Sequence, residues 1–122
     1  MQEWARHVCV SKKFSNLFVP NAWGVEKFQY KMDRIDVSRP LLLTDVKGHP
    51  VLSELKTFYA VAKDCSVYPA DYELYIQGDG RVAMVDFDKF GTWLKDGRVE
   101  YPWGLTLTAS HIEDTLKILL GE

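Results

Sequence analysis

The chain has 122 residues, of which 47% are hydrophobic and 26% are charged, and its net charge is −2. These values are typical of a folded domain with its own core, and they exclude a largely disordered chain. A balance this close to neutral predicts no general electrostatic attraction to nucleic acid or to an anionic membrane. We therefore expect a single domain over residues 1–122.

The cysteines and the N-terminal residues bear on the compartment. Cys9 and Cys65 have no Cys-x-x-Cys spacing and no nearby pair of histidines, so neither a zinc site nor a redox motif is predicted. The first residues carry charges throughout and lack the apolar core of a secretory signal. No stretch approaches the roughly 18 apolar residues of a membrane span. The expected location is the cytoplasm, with reduced thiols.

The first elements are a helix and two strands. Gln2 to Val10 has the spacing of a short amphipathic helix, with Trp4, His7 and Val8 expected on one face. Ser15 to Trp23 is expected to be a short apolar strand broken at Pro20 and Asn21. Lys27 to Ile35 alternates as a half-buried strand does, and we expect the two strands to pair in antiparallel fashion.

A connector and a long helix follow. Residues 36–50 contain turn signals on both sides of Leu41, Leu42 and Leu43, so these three leucines are expected to be buried. Pro50 is suited to the first position of a helix that ends near Lys63. The apolar residues at helical spacing in this segment are Val51, Leu52, Leu55, Phe58, Tyr59 and Ala62.

The most informative stretch is a predicted β-hairpin over residues 72–87, with Gly78-Asp79-Gly80 as its turn. Both faces of its second strand are apolar, which predicts a strand buried on both sides. That strand ends at Asp86 and Asp88, which flank Phe87. Side chains two residues apart lie on one side of an extended strand, so this pair of carboxylates could hold a hard cation.

The C-terminal part contains a second hairpin signal and a helix. Residues 92–95 and 98–101 flank Asp96-Gly97, and Ser110 to Glu113 has the spacing of a capping box before an apolar helix face. Trp93, Tyr101 and Trp103 fall in this loop-rich region. Aromatic side chains anchor interfaces when the core does not need them, so we expect at least one of them to be exposed and to contact a protein partner.

The order of these elements resembles that of protein-kinase-like phosphotransferases. In that family a helix, a catalytic loop and a short hairpin precede an Asp-Phe-Gly or Asp-Phe-Asp triplet, whose first Asp binds the magnesium of the nucleotide. Asp86-Phe87-Asp88 stands at this place and is most similar to the atypical and aminoglycoside-kinase-like branches. The resemblance implies an α+β fold, namely a reduced protein-kinase-like core with short antiparallel strands, β-hairpins and two to three helices.

The resemblance also implies binding residues. Asp86 and Glu73 would hold a metal ion, because Glu73 falls where the family has its second metal ligand. Met32 and Asp33 lie in a stretch similar to the strand that enters the hinge, where the family binds the adenine of its nucleotide. The alternative for Met32 is a place in the core, where methionine is a common filler.

Several parts of the catalytic machinery are not found in the sequence. The position of the catalytic Asp falls on Tyr68, whose hydroxyl ordinarily has a pKa of about 10 and cannot act as a carboxylate does. Neither the Gly-rich loop nor the nucleotide-binding Lys is found, and Glu3 is the only candidate for the acid that pairs with that Lys. We therefore expect no catalytic residue and no resident cofactor.

Three hypotheses about function follow. The first is a non-catalytic kinase-like domain that binds a protein partner, for example as a mimic or inhibitor of a kinase or of its substrate. The second is a minimal magnesium-dependent phosphotransferase that uses Asp86, Glu73 and Asp71 with Mg-ATP, where Asp71 requires the loop to be displaced by three residues. The third is an unrelated small α+β binding protein whose hairpin is only similar in pattern.

Overall fold

The structure is a computed structural model that describes residues 2–20, 22–23, 31–32 and 35–120, and its architecture is α+β. The described part contains the α-helices α1 (Gln2–Ser11), α2 (Val51–Asp64) and α3 (Ala109–Leu120) and a 3₁₀ helix (Leu43–Gly48). Its strands are β1 (Leu17–Phe18), β2 (Ala22–Trp23), β3 (Lys31–Met32), β4 (Val67–Tyr68), β5 (Glu73–Ile76), β6 (Val82–Val85), β7 (Gly91–Trp93), β8 (Val99–Glu100) and β9 (Thr106–Leu107).

The described strands form three small sheets. One has the order β1-β6-β5, a second is the pair β2-β3, and the third has the order β4-β7-β8-β9. All pairs are antiparallel except β1 with β6, which is parallel. The α+β class is therefore confirmed, whereas the expectation of antiparallel strands throughout is wrong at β1.

Helix α1 forms where the amphipathic spacing predicts it. Its buried face consists of Ala5, Val8 and Cys9, and the rings of Trp4 and Phe58 meet edge-to-face with centroids 5.6 Å apart. His7 was expected on this face and is instead exposed. Side chains two residues apart lie on opposite sides of an α-helix. Because Ala5 is at the centre of the buried face, His7 lies on the exposed side.

The segment after α1 is divided between two sheets. Residues 22–23 pair with 31–32 in antiparallel fashion, which confirms the expected pairing for the described part of both segments. The expected strand over Ser15–Trp23 is wrong as a single unit, because β1 pairs in parallel with β6 at Leu17 and Val82. Pro20, which cannot donate a ladder hydrogen bond, separates the two halves. Of the second expected strand, Lys27–Ile35, residues 27–30 and 33–34 lie outside the described residues.

Helix α2 is central to the core. Leu55 and Phe58 are fully buried, as the helical spacing predicts, and they belong to the same buried cluster as Leu74 and Met84 of the hairpin. The helix begins at Val51, directly after Pro50. The predicted helix and its apolar face are confirmed.

The predicted hairpin is also confirmed. Strands β5 and β6 pair in antiparallel fashion from Glu73 opposite Val85 to Ile76 opposite Val82. All four residues of β6, the central strand of its sheet, are buried. This explains why its sequence is apolar on both faces.

The three consecutive leucines do not share one environment. Leu41 is buried and its amide donates to the Leu74 carbonyl at 2.8 Å, but Leu42 is 61% exposed. The expectation that Leu42 is buried is wrong, since neighbouring residues of an extended segment point to opposite sides. The side chain of Leu43 lies outside the described residues.

The second predicted hairpin is formed by β7 and β8 and is extended by β9. Gly91 permits this packing, because a Cβ at Gly91 would lie 2.8 Å from Val99 Cγ1 and 3.1 Å from the Glu100 carbonyl oxygen. Strand β9 was not predicted. It is two residues long and largely exposed, so its sequence is too short to show the alternation of apolar and polar residues that predicts a strand.

Helix α3 begins before the expected capping box. Ala109 is its first residue and Ser110 lies inside it, so the assignment of Ser110 as the cap is wrong. The capping side chain is Thr108, whose Oγ1 accepts from the His111 amide at 3.3 Å. The helix buries Ile112 and Leu120 as its apolar face predicts. Among the described residues, no helix is long and apolar enough to cross a membrane.

Candidate functional site

The acidic end of β6 is the first candidate site. Asp86 follows the last residue of the strand and has a φ of 75°, in the left-handed region that non-glycine residues rarely adopt. The chain therefore leaves the strand direction at Asp86, and the expected alternation of Asp86 and Asp88 along an extended strand is wrong. Phe87 fixes this turn, because its buried ring packs on Phe90 with centroids 5.3 Å apart.

The turn nevertheless brings the two acids together. A side-chain hydrogen bond with Asp88 raises the pKa of the Asp86 carboxyl, and partial burial and the negative charges of Asp88 and Glu73 add to this effect. Lys89 offsets part of it. Two carboxyl groups in such contact favour sharing a proton or neutralisation by a cation.

Glu73 lies opposite Val85 across the hairpin, one residue before Asp86. Its Oε2 accepts a hydrogen bond from the Tyr75 hydroxyl at 2.8 Å, and this bond raises the pKa of that hydroxyl. The carboxylate of Glu73 is exposed and is oriented by Tyr75. The structure therefore brings the two predicted metal ligands to the same end of the hairpin.

The described part of the chain contains no group of three or more His, Cys, Asp or Glu side chains arranged to hold a metal ion. A magnesium ion bound by one or two protein carboxylates usually takes its other ligands from water and from the phosphates of a nucleotide. The metal site at Asp86 and Glu73 stays a prediction.

The predicted nucleotide-binding residues lie at the edge of what the structure describes. Met32 ends strand β3 and its backbone pairs with Ala22, but its side chain is outside the described residues. Asp33 is outside them entirely. Their role in binding an adenine stays a prediction.

The segment between α2 and β5 contains Tyr68, the residue at the catalytic-base position. Tyr68 is buried in β4, and burial, followed by the effects of Tyr101 and Asp71, raises the pKa of its hydroxyl to about 12. Such a hydroxyl stays neutral and is a poor proton acceptor near neutral pH. Asp71 is exposed, with a φ of 54°.

Aromatic side chains form a continuous network from the core to the surface. The Tyr59 and Tyr72 hydroxyls are 2.8 Å apart, Tyr59 meets Tyr68 edge-on, and Tyr68 meets both Trp93 and Tyr101. Each contact has an edge-to-face geometry of the kind that aromatic pairs prefer. The outer members of the network are therefore supported from the core.

The network reaches solvent in the turn between β8 and β9. The Tyr101 carbonyl accepts from the Gly104 amide at 2.9 Å and the Tyr101 amide donates to the Leu105 carbonyl at 2.8 Å, which closes the turn. Pro102 suits the second position of such a turn, and Gly104 has the φ of 90° that closes it. Trp103 is placed at the tip as a result.

We define the aromatic tip as Tyr101, Trp103 and Leu105. The rings of Tyr101 and Trp103 stack with centroids 4.6 Å apart and planes 7° apart. Trp103 is 55% exposed and Leu105 is 52% exposed, whereas Tyr101 is half-buried. The expectation that at least one aromatic residue of this region is exposed is confirmed.

Comparison with known proteins adds no relative: no protein-family model matches the chain, and neither curated proteins nor solved structures give a significant match. Function must therefore be argued from the residues of this chain.

Sequence reasoning missed two features of the aromatic tip. It did not identify Leu105 or the strand that follows it, although Pro102 and Gly104 around Trp103 are the residues of a tight hairpin turn. It treated Trp93, Tyr101 and Trp103 as equivalent. Only the pairing of β7, β8 and β9 separates the exposed Trp103 from the half-buried Trp93 and Tyr101.

Proposed function

We propose that this chain is a non-catalytic, kinase-like domain that binds a protein partner through the aromatic tip. The observation that carries the proposal is the exposed Trp103, stacked on Tyr101 at a hydrogen-bonded turn. Tryptophan and tyrosine are enriched at the centres of protein interfaces. A side chain already held in place also loses less conformational freedom on binding.

The order of elements around Asp86 supports the kinase-like part of the proposal. Helix α2 is followed by the short strand β4, the loop over residues 69–72, the β5-β6 hairpin and then Asp86-Phe87-Asp88. The family resemblance implies this order of helix, loop, hairpin and triplet. The buried, neutral Tyr68 at the catalytic-base position supports a non-catalytic role. A mimic or inhibitor of a kinase or of its substrate is the mode of action that fits both features.

The proposal is tested by comparing baits in a quantitative pull-down from the native host. Wild-type protein, Trp103→Ala and Val37→Ala are used, since Val37 is 60% exposed at another site and serves as a matched apolar control. We expect at least one protein to be retained by the wild type and the Val37 variant and lost by the Trp103 variant. Identical sets of bound proteins for all three baits contradict the proposal.

A second candidate function is a minimal magnesium-dependent phosphotransferase. It is favoured by the left-handed backbone of Asp86 and by the carboxyls of Glu73 and Asp88 beside it, because unusual backbone conformations are concentrated at functional sites. Transfer of radiolabelled phosphate from Mg-ATP tests it. Transfer that disappears in Asp86→Asn supports the enzyme, and its absence in the wild type supports the non-catalytic function.

A further inference from the structure

A second surface feature lies near the start of β6, whereas the acidic pair follows the end of that strand. It is a cleft of about 340 Å³ between the C-terminal half of α1 and strand β1. We call it the basic cleft, and its lining includes Arg6, Lys13 and Arg81 together with Cys9, Phe14 and Phe18. Its volume is within the range of about 300–1,000 Å³ that small-molecule sites occupy.

Lys13 enters the basic cleft from an unusual backbone position. The Phe14 amide donates to the Cys9 carbonyl and the Lys13 amide donates to the Val10 carbonyl, each at 3.1 Å, which ends α1 in a Schellman motif. Lys13 is the left-handed residue of this motif, with a φ of 55°. Glycine is the usual residue at that position, so a lysine there is unfavourable for the backbone.

Arg81 lies across the cleft, immediately before β6. Its guanidinium carbon lies 4.3 Å from the centre of the Phe18 ring, which places the cation over the ring face. This contact orients the planar guanidinium, whose N–H groups suit a phosphate or a carboxylate.

Two of the three cations that line the basic cleft have no ion-pair partner among the described residues. Arg6 forms an exposed ion pair with Glu3 at 2.6 Å, but among the described residues neither Lys13 nor Arg81 forms an ion pair. Two positive charges are thus left facing one cleft on a chain whose net charge is negative. An anionic ligand would neutralise them.

The rest of the lining is apolar and neutral. Phe14 and Phe18 are half-buried, and Cys9 is buried. Burial, followed by the charge of Glu54, raises the pKa of the Cys9 thiol to about 12, against the opposing effect of Arg81. The thiol therefore adds no negative charge that would repel an anion.

We infer that the basic cleft binds a small phosphomonoester, with its phosphate at Lys13 and Arg81 and its apolar or aromatic group against Phe14 and Phe18. A phosphate monoester carries a charge of about −1.5 to −2 near neutral pH, which matches the two cations. Because the walls of the cleft are apolar, we expect the ligand to carry an apolar or aromatic group in addition to its phosphate. The inference is independent of the aromatic tip, because the two surfaces use different elements.

Phenyl phosphate is the probe, and its binding is measured by titration calorimetry and by amide chemical shifts. We expect saturable binding that shifts Lys13, Phe18 and Arg81, and weaker binding of inorganic phosphate and of phenol. Equal affinity for inorganic phosphate overturns the apolar part of the inference. Absence of saturable binding, or shifts confined to other residues, overturns all of it.

Charge-removing variants locate the phosphate. Arg81→Gln should weaken binding at least about tenfold, because hydrogen bonds to charged groups are the strong ones. The matched control is Arg98→Gln, which removes an exposed arginine on the second hairpin and should leave the affinity unchanged. Equal effects of the two variants contradict a site at Arg81.

Lys13→Gly separates ligand binding from folding. Glycine is favoured at the left-handed position, so this variant should melt at a higher temperature than the wild type while binding phenyl phosphate several-fold more weakly. A more stable protein with unchanged affinity contradicts a role for the Lys13 ammonium group.

Discussion

Replacing Glu54 by Ala tests how the segment between α1 and β1 is held. Glu54 lies in the first turn of α2, and its carboxylate accepts three backbone hydrogen bonds: from the Ser15 amide at 3.0 Å, the Asn16 amide at 2.9 Å and the Leu17 amide at 2.7 Å. The Ser15 hydroxyl adds a fourth bond at 3.2 Å. The variant leaves these donors without their acceptor next to the buried Leu17 side chain.

The expected loss follows from these contacts. A hydrogen bond to a charged group contributes about 1.5–3 kcal/mol, but Glu54 is partly exposed and bonds that share one carboxylate are not additive. We therefore expect Glu54→Ala to lower the free energy of unfolding by about 2–4 kcal/mol at pH 7. Most of this loss should come from the Leu17 and Asn16 amides, which make the shortest bonds.

The effect should depend on pH. Burial opposes ionisation of Glu54, but the amides of Leu17, Asn16 and Ser15 outweigh it and lower the pKa of the carboxyl. A lowered folded-state pKa means that this stabilisation is present above the ordinary pKa of a glutamate and is lost as the pH falls through the folded-state value. The difference between wild type and Glu54→Ala should therefore shrink from pH 7 to about pH 3.

Urea denaturation at both pH values measures this difference. Glu113→Ala is the matched control, because Glu113 is an exposed glutamate early in α3, and its loss should cost less than about 0.5 kcal/mol. A loss for Glu54→Ala below 0.5 kcal/mol at pH 7, or one that does not change with pH, would refute the reasoning.

Three further predictions concern the core, the acidic end of β6 and the aromatic tip. Leu55→Ala should cost about 2–5 kcal/mol in urea denaturation because Leu55 is fully buried, and a loss below about 0.5 kcal/mol contradicts its place in the core. Because the pKa of Asp86 is raised in the folded protein, Asp86 favours folding at low pH, and this contribution is lost as the pH rises through the folded-state value. Asp88 is the main cause of the raised pKa. Asp88→Asn should therefore stabilise the protein by a few tenths to about 1 kcal/mol at pH 7 and by less at pH 3. If Asp88→Asn stabilises the protein equally at both pH values, or only as much as the exposed control Glu100→Gln does, the proposed interaction between Asp86 and Asp88 is contradicted. Trp103→Ala should cost less than about 1 kcal/mol, since its main described contact is one stacked ring; a larger loss assigns Trp103 to the fold.

The parts of the fold that sequence predicts well are those with a strong local pattern. Helix α2 and the β5-β6 hairpin each combine apolar periodicity with a boundary signal, Pro50 in one case and Gly78-Asp79-Gly80 in the other. Their boundaries in the structure lie within two residues of those predicted.

The parts that sequence does not predict depend on contacts between distant residues. Nothing near Leu17 indicates a parallel partner more than sixty residues later, because β1 is only two residues long. The convergence of three amides on Glu54 is likewise invisible until α2 packs beside β1. Helix α3 begins earlier than expected because Thr108 and Ser110 are both acceptable caps, and the local pattern does not choose between them.

The candidate sites also differ in whether a local sequence pattern or a contact between distant residues forms them. The acidic pair was located from sequence, but the reason given for its proximity was wrong, since the left-handed turn at Asp86 and not the strand pleat brings the acids together. The basic cleft was not predicted. Its cations are far apart in the chain, and Arg81 joins Lys13 only through the pairing of β1 with β6.

The most direct test of the proposed function is the affinity of the recovered partner for wild-type protein and for Trp103→Ala. Truncation of a tryptophan at the centre of an interface commonly costs 2 kcal/mol or more, so we expect an increase in Kd of at least about 30-fold. Val37→Ala should change the Kd by less than about twofold. A Trp103→Ala variant that is folded and binds within twofold of wild type would contradict the account.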